Sequence, residues 1–555
     1  MSRPRRTGGS VRYGIAVLLL FGSFALALGW LAKPLSGLLT HQVVNTAKPI
    51  LAAAAALLLA TDRVLQPRGL ANRHRRLRDG MLIAIAGCSA LAWWNFMQFH
   101  YPRHTHFSDT YHYYVGAKYF QELRYTRLYA CTAVADREAG PQTRVDDRTL
   151  RNLETNALES TRAALAHPEA CKRHFSARRW AAFRHDVGWF RSRVARSRWN
   201  VIQRDHGYNA PPSWAILGAT LANLGPASER QIFWLGLLDP MLLALMWACV
   251  AWAFGWRTLS IAVVFWGTNL FAVFGWTGGS FLRQGWLVTS IAGICCLRKG
   301  RPMAAGALLT SSALLRIFPA ALLAAGALRA LASSWRRGRF HFDREERRVA
   351  LGGLLAAAAI LPLSAAAVGG MGAWVEFIHN SRVHLATPLK NHVGLATLLA
   401  YDPATVDRLV TGSDAIERYQ TWSDARHVRF SEHVWMYRGI VFAFLLLLTF
   451  AVRDQPLWVA AILGVGLIPI AFELTNYYYA ILLGYALLSE SKLEVGAALC
   501  GISALSWGIV ELWHWQDEIM VWCSAMVVVF VIACTLRFLD RPADPTFQRD
   551  RRGQA

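Results

Sequence analysis

Long apolar runs alternate with short basic ones along most of this chain. The apolar runs lie near residues 11–31, 43–60, 80–99, 231–254, 258–275, 280–297, 302–316, 318–332, 350–370, 437–452, 456–473, 477–489, 493–513 and 519–537. A bilayer core about 30 Å thick takes roughly 20 apolar residues per helix. Backbone groups find no partners in lipid, so each run should close its own hydrogen bonds as a helix. The pattern predicts an all-α fold, a polytopic transmembrane helical bundle of about fourteen crossings.

Short loops rich in Lys and Arg stay on the cytoplasmic side. Five such segments are legible: Arg3, Arg5 and Arg6; Arg63 to Arg78; Arg298, Lys299 and Arg301; Arg336 to Arg348; and Arg537 to Arg552. One assignment places all five inside, with an even number of crossings and both termini cytoplasmic. Residues 100–230 and 371–436 then form two large outer loops. The run Pro211 to Leu224 cannot cross without inverting every later loop, so it is expected as a short interfacial helix on the outer face. The run Met303 to Leu331 is too long for one ordinary crossing and has basic flanks on both sides. It is expected as a hairpin of two short helices, broken at Arg316 and Pro319, with Arg316 near the outer tip. Three parts follow: an N-terminal two-helix membrane extension (1–79), a membrane core with its outer loops (80–489), and a C-terminal helix pair with a cytoplasmic tail (490–555).

Composition narrows the class. Hydrophobic residues make up 54% of the 555 and charged residues 17%, which excludes a string of soluble domains. The net charge of +24 is distributed between apolar runs and forms no separate basic domain, so no nucleic-acid partner is expected. The abundance of Ala, Arg, Trp and Leu resembles that of a GC-rich bacterium, hence an inner (plasma) membrane location. The apolar stretch Val11 to Leu31 is long enough to remain as an anchor rather than a cleaved signal. Seven of the nine cysteines lie in apolar runs; Cys131 and Cys171 share the first outer loop, an oxidising compartment, and are expected to pair. No CxxC or Cys/His spacing suggests a zinc site.

Candidate chemistry gathers on the outer side. The first outer loop opens with His104-Thr105-His106-Phe107-Ser108-Asp109-Thr110-Tyr111-His112-Tyr113-Tyr114. A carboxylate such as Asp109, close to a membrane exit, can serve as a general base or hold a cation; the alternative is an ordinary aromatic interfacial loop. Asp205 is the second carboxylate. Arg316 at membrane depth needs compensation. Either a lipid phosphate takes its guanidinium fork, or a carboxylate such as Asp239 or Glu473 pairs with it. Arg283 and Gln284 follow Gly278-Gly279 at the start of a helix. His379, Arg382, His384, Lys390, Asn391 and His392 cluster in the second outer loop, and Glu473, Asn476 and Tyr477 to Tyr479 at another outer end. These suit sugar hydroxyls or phosphate, or are solvated loop residues. Arg178 to Trp199 mixes arginine with aromatics and suits an amphipathic helix on anionic lipid, with capture of an anionic acceptor as the alternative.

The order of several features resembles the GT-C superfamily of membrane glycosyltransferases, most closely the polyprenyl-phosphate-mannose-dependent mannosyltransferase-like group. An Asp follows a transmembrane helix, and an aromatic helix ends in Leu128-Tyr129. Tyr208-Asn209-Ala210-Pro211-Pro212 begins a short helix. Leu315-Arg316-Ile317-Phe318-Pro319 turns a hairpin. The resemblance covers roughly residues 80–480. It implies transfer of mannose or a related hexose or pentose from a polyprenyl-phosphate carrier to an extracytoplasmic glycolipid or cell-envelope glycan. Asp109 matches the catalytic position. The candidate substrate-binding residues are Tyr113, Lys118, Asp205, Tyr208, Asn209, Arg283, Gln284, Arg316, Arg382, Lys390, Asn391 and His392. The chain departs from the family in its two extra N-terminal helices, its long insert between Tyr129 and Gln203, and its single Asp. That last departure leaves a divalent cation (Mg or Mn) as an open question. A transporter or flippase for a lipid-linked sugar is the competing class, although no internal repeat of the kind common in transporters is visible. A non-catalytic membrane scaffold is the third.

Overall fold

A computed structural model describes residues 41–65, 74–97, 104–406 and 415–539. The expected helix at 11–31, the basic N-terminus and the tail beyond Leu539 lie outside the described residues. In chain order the longer helices are α1 (His41–Leu65), α2 (Arg75–Trp93), α3 (Phe107–Lys118), α4 (Leu128–Glu138), α5 (Ala177–Ser192), α6 (Pro212–Ala222), α7 (Glu229–Thr268), α8 (Gly285–Arg298) and α9 (Pro302–Leu315). They continue as α10 (Ala320–Arg337), α11 (Arg344–Val368), α12 (Gly372–Leu385), α13 (Ala415–Glu432), α14 (Val434–Val452), α15 (Leu457–Gly464), α16 (Leu493–Leu512) and α17 (Gln516–Leu536). Two short antiparallel ladders join them, β1 (Thr149–Arg151) with β2 (Leu158–Ser160) and β3 (His392–Val393) with β4 (Leu474–Thr475).

Among the described residues, α1, α7, α11, α14, α16 and α17 are long and apolar enough to cross a membrane. Helices α8, α9 and the Leu457–Ala471 segment are apolar but shorter. Leu57, Met241, Leu354, Phe442 and Val529 stand exposed along the long helices. Apolar side chains exposed in such stripes mark a surface that meets lipid.

Helix boundaries depart from the apolar pattern where backbone geometry intervenes. The runs at 231–254 and 258–275 are two helical segments joined end to end within α7, broken where expected at Gly255, whose φ of 81° and ψ of 174° are not helical. The run at 80–99 stops at Trp93, because Asn95, Phe96 and Met97 turn into the left-handed region (φ 48°, 50° and 66°). The run at 477–489 is a tighter 3₁₀ segment, Asn476–Leu483, followed by a single α-turn. The expected break between α9 and α10 is present, with Arg316 leaving the helix at φ −154°, ψ 136°. The run at 211–224 forms α6. Pro211 caps it and Pro212, whose ring presets the helical φ, is its first residue. Its length of about 16 Å is too short to cross, and it packs on α3 and α11.

Residues 104–228, expected as the first outer loop, form a folded domain with its own core of Tyr111, Tyr119, Phe183, Phe190, Trp199 and Tyr208. This corrects the reading of Arg178 to Trp199 as a helix lying on lipid. Trp180, Phe183 and Phe190 of α5 point into the domain core and are buried. At its centre the Asp136 carboxylate, fully buried, accepts from Arg148 at 2.7 Å and the Trp199 indole at 2.8 Å, and pairs with Arg191. A buried charge is tolerable only when paired in this way.

Cys131 on α4 and Cys171 are joined in a disulfide, with Cα atoms 5.5 Å apart and a sequence separation of 40. Replacing both by alanine should destabilise this domain by about 3–4 kcal/mol, the loop-closure entropy returned to the unfolded chain. Thermal unfolding of the purified protein, followed by protease nicking between residues 104 and 228, measures it. An unchanged transition would reject a stabilising role.

Candidate functional site

The start of α3 is locked before any ligand arrives. His106 caps the helix, its Nδ1 accepting the Asp109 backbone N–H at 3.1 Å while Nε2–H faces the Gly275 carbonyl at 3.2 Å. That geometry needs the neutral imidazole, and burial lowers the His106 pKa from its ordinary value. The His106 N–H donates to the Gly279 carbonyl at 2.9 Å. Gly279 adopts φ 71°, and a Cβ there would sit 1.6 Å from the His104 carbonyl oxygen, so only glycine allows this approach. Leu282 follows in the left-handed region (φ 51°), its carbonyl held by the Trp214 indole at 3.1 Å. A bulky residue in that conformation costs energy and persists only when its surroundings impose it. The Arg283 and Gln284 amides then donate to the buried Asp239 carboxylate at 2.9 and 3.1 Å.

This clamp brings together two side chains far apart in sequence. Arg283 Nη1 lies 3.0 Å from Asp109 Oδ1. The other carboxylate oxygen, Oδ2, is buried with no hydrogen-bond partner among the described residues. Tyr113, one helical turn beyond Asp109, makes three contacts with its hydroxyl. It donates to Asn209 Oδ1 at 2.8 Å and accepts from Arg283 at 3.0 Å and Arg316 at 2.7 Å. The Arg283 guanidinium also lies over the Tyr477 ring, 4.4 Å from its centre. Arg316 is buried, and its Nε and Nη1 have no hydrogen-bond partner among the described residues. Neither carboxylate considered for it is its partner. Asp239 serves the two amides, and Glu473 accepts from Arg426 at 2.7 Å and Thr397 at 2.8 Å.

These groups surround a cavity of about 650 Å³. The domain of residues 104–228 supplies one wall. The β3–β4 ladder supplies another, setting Asn391 and His392 beside Glu473 to Tyr478. Of the candidate residues, Asp109, Tyr113, Asp205, Asn209, Arg283, Asn391 and His392 line it. The remaining candidates do not. Arg316 stands behind Tyr113. Tyr208 is buried against Tyr113 and Tyr125. Gln284 is buried at the start of α8. Arg382 is exposed on α12, and Lys390 lies off the lining. Lys118 is engaged elsewhere, bonded to Asp186 at 2.8 Å and the Gly225 carbonyl at 2.6 Å, which makes it a tie within the outer domain.

Exposure separates the two candidate carboxylates. The Asp205 side chain is 61% exposed at the rim, 3.8 Å from His112, whereas Asp109 is 13% exposed and ion-paired. Arg151, Arg198 and Arg204 also face the cavity and were not singled out from sequence. Arg151 and Arg198 sit in the insert and Arg204 just after it, among many arginines with no period to distinguish them; only the basic density was a signal. His206 and His384 touch through their Nδ1 atoms at 3.2 Å. Burial and the nearby Arg151 hold both neutral, His206 well below the ordinary range and His384 at about 4. Four arginines against three carboxylates leave the cavity net cationic, suited to an anionic, hydroxyl-rich ligand. Among the described residues no three His, Cys, Asp or Glu side chains gather as metal ligands.

No family model, curated protein or solved structure matches this chain.

Proposed function

We propose that this chain is a GT-C-type membrane glycosyltransferase, moving mannose or a related sugar from a polyprenyl-phosphate carrier to a glycolipid or glycan acceptor outside a bacterial inner membrane. In this reading the bundle makes about fourteen crossings, with both termini cytoplasmic. The observation that carries it is the buried, unpartnered Oδ2 of Asp109, a residue that lines a cationic cavity, with Arg283 at 3.0 Å from Oδ1.

The chemistry follows from those positions. The bond between the sugar's anomeric carbon and the phosphate oxygen breaks, and the electron pair leaves with polyprenyl phosphate. The acceptor hydroxyl oxygen bonds to the anomeric carbon, and its proton passes to Asp109 Oδ2, then to solvent. Arg283 meets the phosphate charge as it develops, with Arg316 one hydroxyl behind it. Fixed donors in a partly closed site act without reorganising, where they are worth most. A flippase would set its essential charges near the bilayer midplane. Here Asp109, Arg283, Asp205 and Glu473 gather beside a folded outer-loop domain, which favours transfer over transport.

The test is sugar transfer from synthetic polyprenyl-phosphate sugars to candidate acceptors by the protein in lipid vesicles. Failure with a full panel of donors, alongside movement of the intact lipid-linked sugar between leaflets, would replace this reading with transport. The role of Arg316 is measured separately by carrier binding. Arg316→Ala should weaken binding about tenfold or more, and Arg316→Lys should recover only part, since an ammonium keeps the charge but loses the planar fork. Equal binding by all three proteins would remove Arg316 from phosphate recognition.

A further inference from the structure

A second cavity, of about 380 Å³, lies between the turn after α3, the β1–β2 turn and α12. Its α12 wall is formed by Glu376, His379, Asn380 and Val383, which share one helical face at spacings of three and four. A thin partition separates it from the first cavity. Leu153 lines the second and Gly207 the first, and a Cβ on Gly207 would lie 2.6 Å from Leu153 Cδ1. The neighbouring positions alternate in the same way. Arg151 and His384 face the first cavity, while Leu153 and Val383 face the second.

The chemistry of the two cavities differs. In the second, Arg124 is tied to Glu376 by two nitrogens, its Nε at 2.9 Å from Oε2, and Arg127 is balanced by Glu154. Such a lining favours no net charge in its ligand. Asn380 is 5% exposed, and its Nδ2 has no hydrogen-bond partner among the described residues. An unsatisfied buried amide is costly unless something accepts from it. Arg124 itself is held in the left-handed region (φ 49°), a conformation that non-glycine residues keep only where the surroundings impose it. Beside these polar groups stand Leu153, Val375 and Val383, which offer apolar contact. A balanced lining with a buried N–H donor and an apolar strip is the complement of a sugar ring. One face of such a ring is C–H, and its hydroxyls accept and donate.

We infer that this second cavity is a saccharide subsite for the acceptor, holding a sugar unit beyond the one that receives the transferred sugar. The inference rests on the proposed transfer reaction for naming the ligand as acceptor, but not for the cavity's ability to bind saccharide. It predicts that acceptors of more than one unit bind better than single sugars, because only they reach across the Leu153–Gly207 partition.

The experiment uses full-length protein in lipid nanodiscs. Equilibrium binding is measured for mono-, di- and trisaccharides of mannose, glucose and galactose, in the Asp109→Asn background so that turnover does not interfere. In one sugar series, affinity should rise about tenfold with length, equivalent to about 1.4 kcal/mol. Asn380→Leu removes the donor, and Val383→Trp fills the space without removing a polar group. Each should abolish the gain and leave monosaccharide affinity unchanged, which also certifies folding. No length dependence in any series, or a gain that persists in either folded variant, overturns the subsite. A gain lost in both variants, in a protein whose parent transfers no sugar, would keep the subsite and reject the transferase reading. Transfer without length-dependent binding would do the reverse.

Discussion

Asp109→Asn should lower sugar transfer by about 10²–10⁴-fold, the usual contribution of a positioned general base, while carrier affinity stays within a few-fold of wild type. The substitution is nearly isosteric. The asparagine carbonyl can still accept from Arg283 at the position Oδ1 now occupies, 3.0 Å away, so the clamp at the start of α3 survives. What is lost is the unpartnered Oδ2, the atom able to take a proton from an acceptor hydroxyl. The loss should therefore appear in kcat and not in carrier binding. Single-turnover transfer with a labelled carrier sugar, paired with equilibrium carrier binding, separates the two. Normal turnover in the variant would remove Asp109 from the mechanism and make Asp205, on the same cavity, the next carboxylate to test.

Arg283→Gln should fail in both respects. Kcat/KM is expected to fall about 10³-fold, roughly 4 kcal/mol of transition-state stabilisation, and carrier affinity at least tenfold. Arg283 is buried, and its guanidinium reaches Asp109, the Tyr113 hydroxyl and the Tyr477 ring together. Removing it strands a mostly buried carboxylate without its counter-charge, which is typically more damaging than the net worth of the pair. It also removes a cation that lines the cavity where the leaving phosphate is proposed to sit. The turn itself should hold, because Asp239 binds the backbone amides of residues 283 and 284 and not the side chain. Arg283→Lys should recover only part of the activity: Nη1 alone makes the Asp109 and Tyr113 contacts, but a compact ammonium gives up the planar guanidinium that lies over the Tyr477 ring. A kcat/KM within threefold of wild type for Arg283→Gln would contradict the assignment.

The candidate site was legible in part, and the legible part has a pattern. Asp109 and Tyr113 stood out because they follow an expected membrane exit, and Asn209 because it leads into a proline-marked helix start, local signals that survive without a fold. Arg283 stood out because two glycines precede it. Arg151, Arg198 and Arg204 did not, being three arginines among many in and just after the insert. Lys118 had the same local signal as Tyr113 but turned toward Asp186, since on one helix a side chain four or five residues along can face either cavity or core. Arg316 was expected at the cavity and stands one side chain behind it.

What the sequence determines by itself is the alternation of apolar and basic segments, the break at Arg316 and Pro319, the proline start of α6, and the separation of Cys131 and Cys171 from the other cysteines. Each depends on a local property: apolar length, a ring that presets φ, or a residue's compartment. Tertiary structure decides the rest. It ends α2 in three left-handed residues and turns the aromatic face of α5 inward. It also sets Arg283 against Asp109, 174 positions earlier in the chain. That meeting depends on a glycine whose missing Cβ lets Gly279 rest on His104 and on a carboxylate, Asp239, that holds the following amides. These are contacts between distant segments, and their energy resides in packing geometry that no window of sequence contains.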